Sequence, residues 1–456
     1  MTKQRKDINE LNNDELADYI HALDILRARS AQNSDDETGY DFQAGLHNGQ
    51  LPDGTPIDVA CEHGSDLFFP WHRAHLHYFE QLLQAADPPR TANVTIPYWD
   101  WLHPEVNGRF PKAFANPGLF KPGRNVNPTP GLLGEKLPDD TLEIVTEETD
   151  WNDFGGFPED DPTGNFGDLE IGPHNYMHGL FISGLMGDPS RAAEDPIYWS
   201  FHAFIDLLWA EWQRRNNAPP PTSPDHDLRG FLEKPKHKVR DFQSTTELGY
   251  EYEYTEQLEE AFGIIVVLPT VRRPPLRERR RELIAAAEPL NPQLLPPLFA
   301  DSLQSELRNT SRADYSFPAP PGPTTAAVVR LQNLKVPTRW SYMLRAYVHP
   351  QDVPFAQDDA DFERRYFVDY AVLWVSHHED HDGHHPPEGR AHHPPFCTVR
   401  FDVTDSLTGL TPEAISNLVL TLRYIAAPVP AGEPAPVLDL LEEVELDDVL
   451  LEPYAS

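Results

Sequence analysis

Six of the chain's 20 histidines stand at spacings that suit a metal centre. His174 and His178 lie four residues apart in GPHNYMH, and on a helix positions i and i+4 share a face, so both imidazoles can reach one point. Taken alone, such a pair is as readily structural. His202 sits in DPIYWSFHAFIDLLWAEWQ, a segment so apolar and aromatic that its helix must be buried nearly all round. A His and an Asp four apart in such a helix need partners, because unsatisfied buried polar groups are costly. Either His202 is a core histidine bonded to Asp206, or it binds a metal with Asp206 orienting it from behind. Upstream stand His47 in GLHNGQ, His63 in CEHGSDLFFPW and His72 in FPWHRAHLHYFE. His72 shares a helical face with Leu76, Phe79 and Leu83, whereas His75 and His77 are expected to be partly exposed or to stand behind the ligands. Two triples, each with a member on a buried aromatic helix, predict a paired metal site. All-nitrogen donors argue against magnesium and calcium and leave zinc open beside copper.

The elements that must position these residues can be read from periodicity and punctuation. Residues 12–29 predict an amphipathic helix, with Asn13 or Asp14 as its cap and Leu16, Tyr19, Ile20, Leu23 and Leu26 at helical spacing. A second helix is predicted over 66–86, with Pro70 in its first turn, and a third over 196–215. Between them run Gly-, Pro-, Asn- and Asp-rich stretches, notably 103–168, of a length expected where loops line a functional site. Residues 311–327, SRADYSFPAPPGPTTAA, read as a Pro-rich linker. After it come RWSYMLRAYV, RRYFVDYAVLWV, FCTVRFDV and NLVLTLRYIA, which predict an antiparallel β sandwich or barrel over 328–430. Residues 431–456 form an acidic, Leu-rich tail, expected to be helical or disordered. The expected fold is thus a mainly α catalytic domain over 1–310 followed by an all-β domain.

Composition narrows the partners. With 73 acidic residues against 37 basic ones the net charge is −36, which would repel nucleic acid and anionic membranes alike. No run approaches the ~18 apolar residues of a membrane span. The N-terminal text holds neither an apolar signal core nor a twin-arginine pair, so a cytoplasmic location is expected unless a partner protein carries the chain out. Two cysteines, Cys61 and Cys397, supply no disulfide framework. Residues 377–393, HHEDHDGHHPPEGRAHH, read as a polar surface loop, with copper loading as the alternative role.

The phrases around the six histidines resemble the tyrosinase, catechol oxidase and molluscan haemocyanin family of coupled dicopper proteins. His63-GSDLFFPW-His72-RAHLHYFE, with His47 sixteen residues earlier, matches the family's first copper phrase. PHNYMH, then DPIYWSFH and DLLWAEWQ, match the second, and RDFQSTTELGYEYEY at 240–254 resembles the end of its catalytic domain. The family's paired histidines map to Phe201 and His202, and the second of them is the usual ligand. The resemblance implies a four-helix-bundle core holding two copper ions through His47, His63, His72, His174, His178 and His202, with O₂ as co-substrate. It implies a thioether bond from Cys61 to His63, as in fungal and molluscan members, while Cys397 is expected to be a core cysteine. Tyr198 occupies a position that is usually Phe and is expected to pack on a copper-bound imidazole.

By the same resemblance the chain oxidises small phenols and catechols to o-quinones. Plant-type members carry a Glu four residues before the first ligand of the second copper and an Asn just after it, holding a water that takes the phenol proton. Glu170 and Asn175 are in register with that pair, so monophenolase as well as diphenolase activity is expected. The β domain is expected to cover the copper pocket and keep the chain latent until it is displaced. The rivals are a catechol oxidase or o-aminophenol oxidase without monophenolase activity, a haemocyanin-like O₂-binding protein and a zinc hydrolase. The oligomeric state is not legible.

Overall fold

Helix formation begins at Asn12, whose extended backbone (φ −71°, ψ 170°) lets its side chain accept from the amides of Asp14 and Glu15 while Glu15 accepts from the Asn12 amide. This reciprocal cap contributes about 1 kcal/mol and starts α1, Asn13–Gln32. The expected caps, Asn13 and Asp14, already lie inside the helix, because a capping residue must keep non-helical dihedrals. The computed structural model describes residues 2–57, 61–102, 110–124, 137–158, 161, 166–216, 224–264, 310–316, 327–335, 341–356, 362, 365–374, 396–407, 417–426 and 448–453. Two units result, one formed by residues 1–161, 166–270 and 377–393, the other by 162–165, 271–376 and 394–456.

In the first unit α1 packs on α2, Tyr40–Asn48, and on α3, Phe68–Gln84; α3 packs in turn on α5, Ile197–Asn216. Helix α4, Leu137–Glu147, leans on α5 as well. The all-round burial predicted for the third helix holds from Ile197 to Trp209, with Phe79 of α3 stacked on Trp199 at 3.5 Å between ring centroids. Each such fully buried large apolar side chain is worth roughly 1.5–3 kcal/mol, which is what holds α3 and α5 side by side. A two-stranded parallel ribbon, β1 (Lys3–Arg5) with β2 (Tyr250–Tyr252), ties the beginning of the unit to its end.

The second unit is antiparallel. Strands β3 (Thr310–Ser316), β8 (Leu418–Ala426), β5 (Tyr342–Pro350) and β6 (Phe367–Leu373) form one sheet in that order. β7 (Phe396–Asp402), β4 (Ala327–Lys335) and β9 (Asp448–Pro453) form another. Each of the four sequence runs contains a strand. Two boundaries need correction. Residues 311–316, read as the start of the linker, pair along β8; the prolines begin only at Pro318, so nothing in 311–316 interrupts a ladder. Residues 448–453, read as part of a helical or disordered tail, pair along β4. The rest of the linker, 317–326, and the histidine-rich segment 377–393 lie outside the described residues.

Candidate metal centre

Four structural elements deliver the six histidines. His47 closes α2, which ends where Gly49 turns left-handed (φ 72°), a conformation glycine takes without cost. His63 lies on the segment entering α3, His72 in the first turns of α3, and His202 in the middle of α5. His174 and His178 sit on two π-helical turns, Glu170–His174 and Met177–Ile182, not on a regular α-helix. With more residues per turn than an α-helix, these turns bring positions i and i+4 closer to the same direction, and the two rings lie 4.6 Å apart.

The ring nitrogens of His47, His63 and His72, together with the Cys61 sulfur, lie within 4.8 Å of one another, and so do those of His174, His178 and His202. Every one of these residues is buried. The two cups share a wall: His72 stacks on His202 at 4.4 Å with 4° between ring planes, and His63 lies 5.4 Å from His174. All six rings therefore converge on one buried volume.

Which nitrogen each ring offers is set from behind. Nδ1–H of His72 donates to the Phe68 carbonyl at 2.8 Å, and that of His178 to the Met186 carbonyl at 2.8 Å. His63 donates to the Glu170 carboxylate at 2.8 Å. His47 and His174 donate to the side-chain oxygens of Asn48 and Asn175, the residues that immediately follow them, at 3.2 and 2.9 Å. Five rings thus carry their proton on Nδ1, which leaves Nε2 with its lone pair for a metal. Burial, reinforced by the neighbouring His174, holds His72 well below the ordinary histidine range; burial and His72, His174, His178 and His47 do the same to His202. Imidazoles in two buried groups of three, most with Nε2 turned to the shared volume, are a donor set that copper or zinc takes.

The remaining predicted residues fall as follows. Glu170, on the π-helical side of the site, accepts from His63 and from the Gly64 amide at 3.0 Å. Burial pushes its carboxyl well above the usual range, against the pull of the Gly64 N–H. Cys61 is a free thiol whose sulfur lies 3.2 Å from Nε2 of His72, and burial raises its pKa. Tyr198 packs against the rings of His47 and His202 at 4.7 and 4.3 Å.

Asp206 does not orient His202. Its carboxylate accepts from Arg5, Arg73, Tyr250 and Tyr252, and Nδ1 of His202 has no hydrogen-bond partner among the described residues. Two buried guanidiniums outcompete a neutral imidazole for that carboxylate. His75 and His77 are buried, not partly exposed: His75 bonds Tyr198 and the Gln43 carbonyl, and His77 bonds Gln81. The partnership of Glu170 with His63 went unread in the sequence. The pairing of His47 and His174 with the asparagines after them had a signal, the dipeptide His-Asn occurring once in each half of the site.

A family model described as the common central domain of tyrosinase matches residues 37–137 and 129–215, the stretch that supplies all six histidines. Residues 37–215 thus carry a tyrosinase central domain, which supports the type 3 copper family for this part of the chain. The chain is 28% identical over 302 residues to tyrosinase HcTyr1 of Hahella sp. (strain CCB-MM4), covering 55% of this chain and 63% of the relative. It is 25% identical over 307 residues to the chloroplastic polyphenol oxidase C of Solanum lycopersicum, covering 56% of this chain and 48% of that one. The chain therefore spans about half to two thirds of these relatives' length. In fold it is similar to latent apple tyrosinase, with TM-score 0.62 and 18% identity over 93% of this chain and 96% of that one. A functional unit of octopus haemocyanin matches at TM-score 0.54 and 18% identity over 99% and 100% of the two chains.

Proposed function

We propose that this chain, with its tyrosinase central domain, is a dicopper phenol oxidase that uses O₂ to ortho-hydroxylate monophenols and to oxidise o-diphenols to o-quinones. One observation carries the reading: two buried groups of three histidines share the stacked pair His72 and His202. His47, His63 and His72 hold one copper, and His174, His178 and His202 hold the other, in the four-helix arrangement of the family. The bound copper pair supplies the binding and reduction of O₂ and takes the electrons of the phenol. The chain's own part is to keep the rings aimed, through the oxygens of Phe68, Met186, Glu170, Asn48 and Asn175.

Glu170 and Asn175 carry the proton step. A phenol proton has an unperturbed pKa near ~10, so its removal near neutrality needs a positioned base. A carboxylate offers about four lone-pair directions. Its bonds to His63 and Gly64 leave capacity for a water, and burial makes the ionised form a stronger base than a surface carboxylate. A thioether between Cys61 and His63, and latency, which the name of the latent apple tyrosinase states of that protein, belong to the same reading.

The test is turnover by the copper-loaded full-length chain with O₂. Quinone formation from both a monophenol and a catechol supports the proposal. Turnover of catechol alone, even with a diphenol primer, removes the monophenolase half. Reversible O₂ uptake with no product from either substrate favours the haemocyanin-type carrier that the octopus fold similarity keeps in view. Equal rates before and after limited proteolysis overturn latency, and peptide mass spectrometry decides the thioether.

A further inference from the structure

Tyr198 packs on both His47 and His202, yet its oxidisable, proton-bearing hydroxyl bonds neither ring. Its hydroxyl points instead at Nδ1 of His75, 3.2 Å away. The direction of this bond is fixed by the other side of the ring: His75 Nε2 lies 2.8 Å from the Gln43 carbonyl, which only accepts, so Nε2 holds the proton and Nδ1 the lone pair. Tyr198 is therefore the donor, and its phenolic proton already rests against a base. His75 leads onward. Its ring lies 5.0 Å from Trp71 and 4.6 Å from Trp199, between centroids. Trp199 stacks into the interior on Phe79, but Trp71 touches Phe231 at 5.7 Å, and Phe231 stacks on half-buried Tyr78 at 5.5 Å.

We propose that Tyr198 and His75 form a proton-coupled redox pair that drains oxidising equivalents from the metal centre toward Trp71 and Tyr78 when no phenol is bound. The oxidant is a one-electron oxidant of the dioxygen or peroxide class generated at that centre. Tyr198 gives it one electron and passes its O–H proton to Nδ1 of His75, leaving a neutral tyrosyl radical beside an imidazolium. A phenol radical cation is a far stronger acid than a phenol, so even an imidazole whose basicity is depressed by burial accepts the proton. Trp71 then returns an electron to Tyr198, the proton goes back from His75 to the phenolate oxygen, and Tyr78 re-reduces Trp71 while releasing its own proton to water. An external phenol restores Tyr78. No coordination or substrate contact by Tyr198 is required, and a Phe in its place keeps the packing but cannot take part.

The inference rests on the oxidase reading only for its source of oxidant. The experiment is peroxide treatment of the copper-loaded full-length chain without phenol, with freeze-quench electron paramagnetic resonance using ring-deuterated tyrosine. The expected result is a tyrosyl signal that is lost in Tyr198→Phe and that carries a different hyperfine pattern in Trp71→Phe, where the radical stays on Tyr198 instead of passing to Tyr78. Absence of a tyrosyl signal in the wild type, a signal unchanged in Tyr198→Phe, or a hyperfine pattern unchanged in Trp71→Phe overturns the relay. Catechol turnover is measured on the same sample, so a protein that oxidises catechol yet forms no Tyr198-dependent radical refutes the relay and leaves the oxidase reading standing.

Discussion

The carboxylate of Glu170 lies 2.8 Å from Nδ1 of His63, although Glu170 belongs to the turns that carry His174 and His178. One acidic side chain thus fixes a ligand of the opposite cup, and the same carboxylate is anchored by the Gly64 amide. Gly64 takes a left-handed φ of 67°, which allows its N–H to turn toward the carboxylate. Replacing Glu170 by Ala is expected to free the His63 ring and weaken copper binding at the first cup by about 10–100-fold, with Gln, which keeps an acceptor oxygen, falling in between. Chelator competition followed by metal analysis checks this. Copper affinity of Glu170→Ala equal to the wild type would show that His63 is oriented by something else.

Asp206 gives the opposite expectation. Burial alone would raise its carboxyl, but Arg73 and Arg5, with the hydroxyls of Tyr250 and Tyr252, hold it below the ordinary value. The partners come from β1, α3 and β2, so this one carboxylate on α5 ties together the two ends of the first unit. Asp206→Asn takes the carboxylate from buried Arg73 and leaves buried Arg5 paired with Glu80, and is expected to cost about 3–5 kcal/mol in denaturant unfolding. The folded fraction should still bind copper like the wild type, since Asp206 touches none of the six histidines. A variant of native stability that has lost its metal would reverse this assignment.

The contrast between Glu170 and Asp206 shows what could be read from the sequence. The convergence of the six histidines was legible because most stand in phrases of fixed spacing, as with His72 on the Leu76, Phe79 and Leu83 stripe of α3, although His63 lies ahead of that helix. Support residues were not, because a carboxylate's partner depends on which elements meet. Asp206 stands one helical turn from His202, yet Arg5, 201 positions away in the chain, reaches it. Glu170 and His63 are 107 positions apart. Strands β5, β6, β7 and β8 announced themselves by their β-branched and aromatic runs, whereas β3, β4 and β9 lay beside Pro-rich or acidic text that masked them.

His77 provides a pH signature. Burial, together with the nearby charges of Arg5 and Lys236, lowers its pKa from 6.5 to about 4. The unfolded chain takes up a proton at this residue once the pH falls below about 6.5, and the folded protein does not until about 4. Its contribution to stability is therefore intact above the unfolded value and is lost as pH falls through that window, by up to about 1.4 kcal/mol per pH unit. His77→Gln should flatten the fall in stability between about pH 6.5 and about pH 4 by one proton's worth. Denaturant unfolding of both proteins across this range is the measurement, and parallel curves would contradict it.

Gly167 sets the start of the turns that carry Glu170, His174 and His178. Its carbonyl accepts from the amides of Glu170 and Ile171 at 3.1 and 3.0 Å, and its Cα faces the backbone at the end of the short helix Trp151–Gly155, which loops on through Gly156. A Cβ there would stand 2.4 Å from the Phe154 carbonyl oxygen and 2.5 Å from the Gly156 nitrogen. Both neighbours are backbone atoms, so no side chain can swing away, and either the loop or the first turn must move. Overpacking of this kind costs roughly 1–3 kcal/mol. The displacement has a second consequence, because the Glu170 carboxylate and the His174 ring are carried on the turn that shifts. Gly167→Ala is thus expected to lower stability and, in the protein that still folds, to weaken copper at both cups, whereas Glu170→Ala should affect chiefly the first. Unfolding curves and copper stoichiometry on the same preparations separate these outcomes, and native stability with full copper in Gly167→Ala would mean that the loop yields without disturbing the ligands.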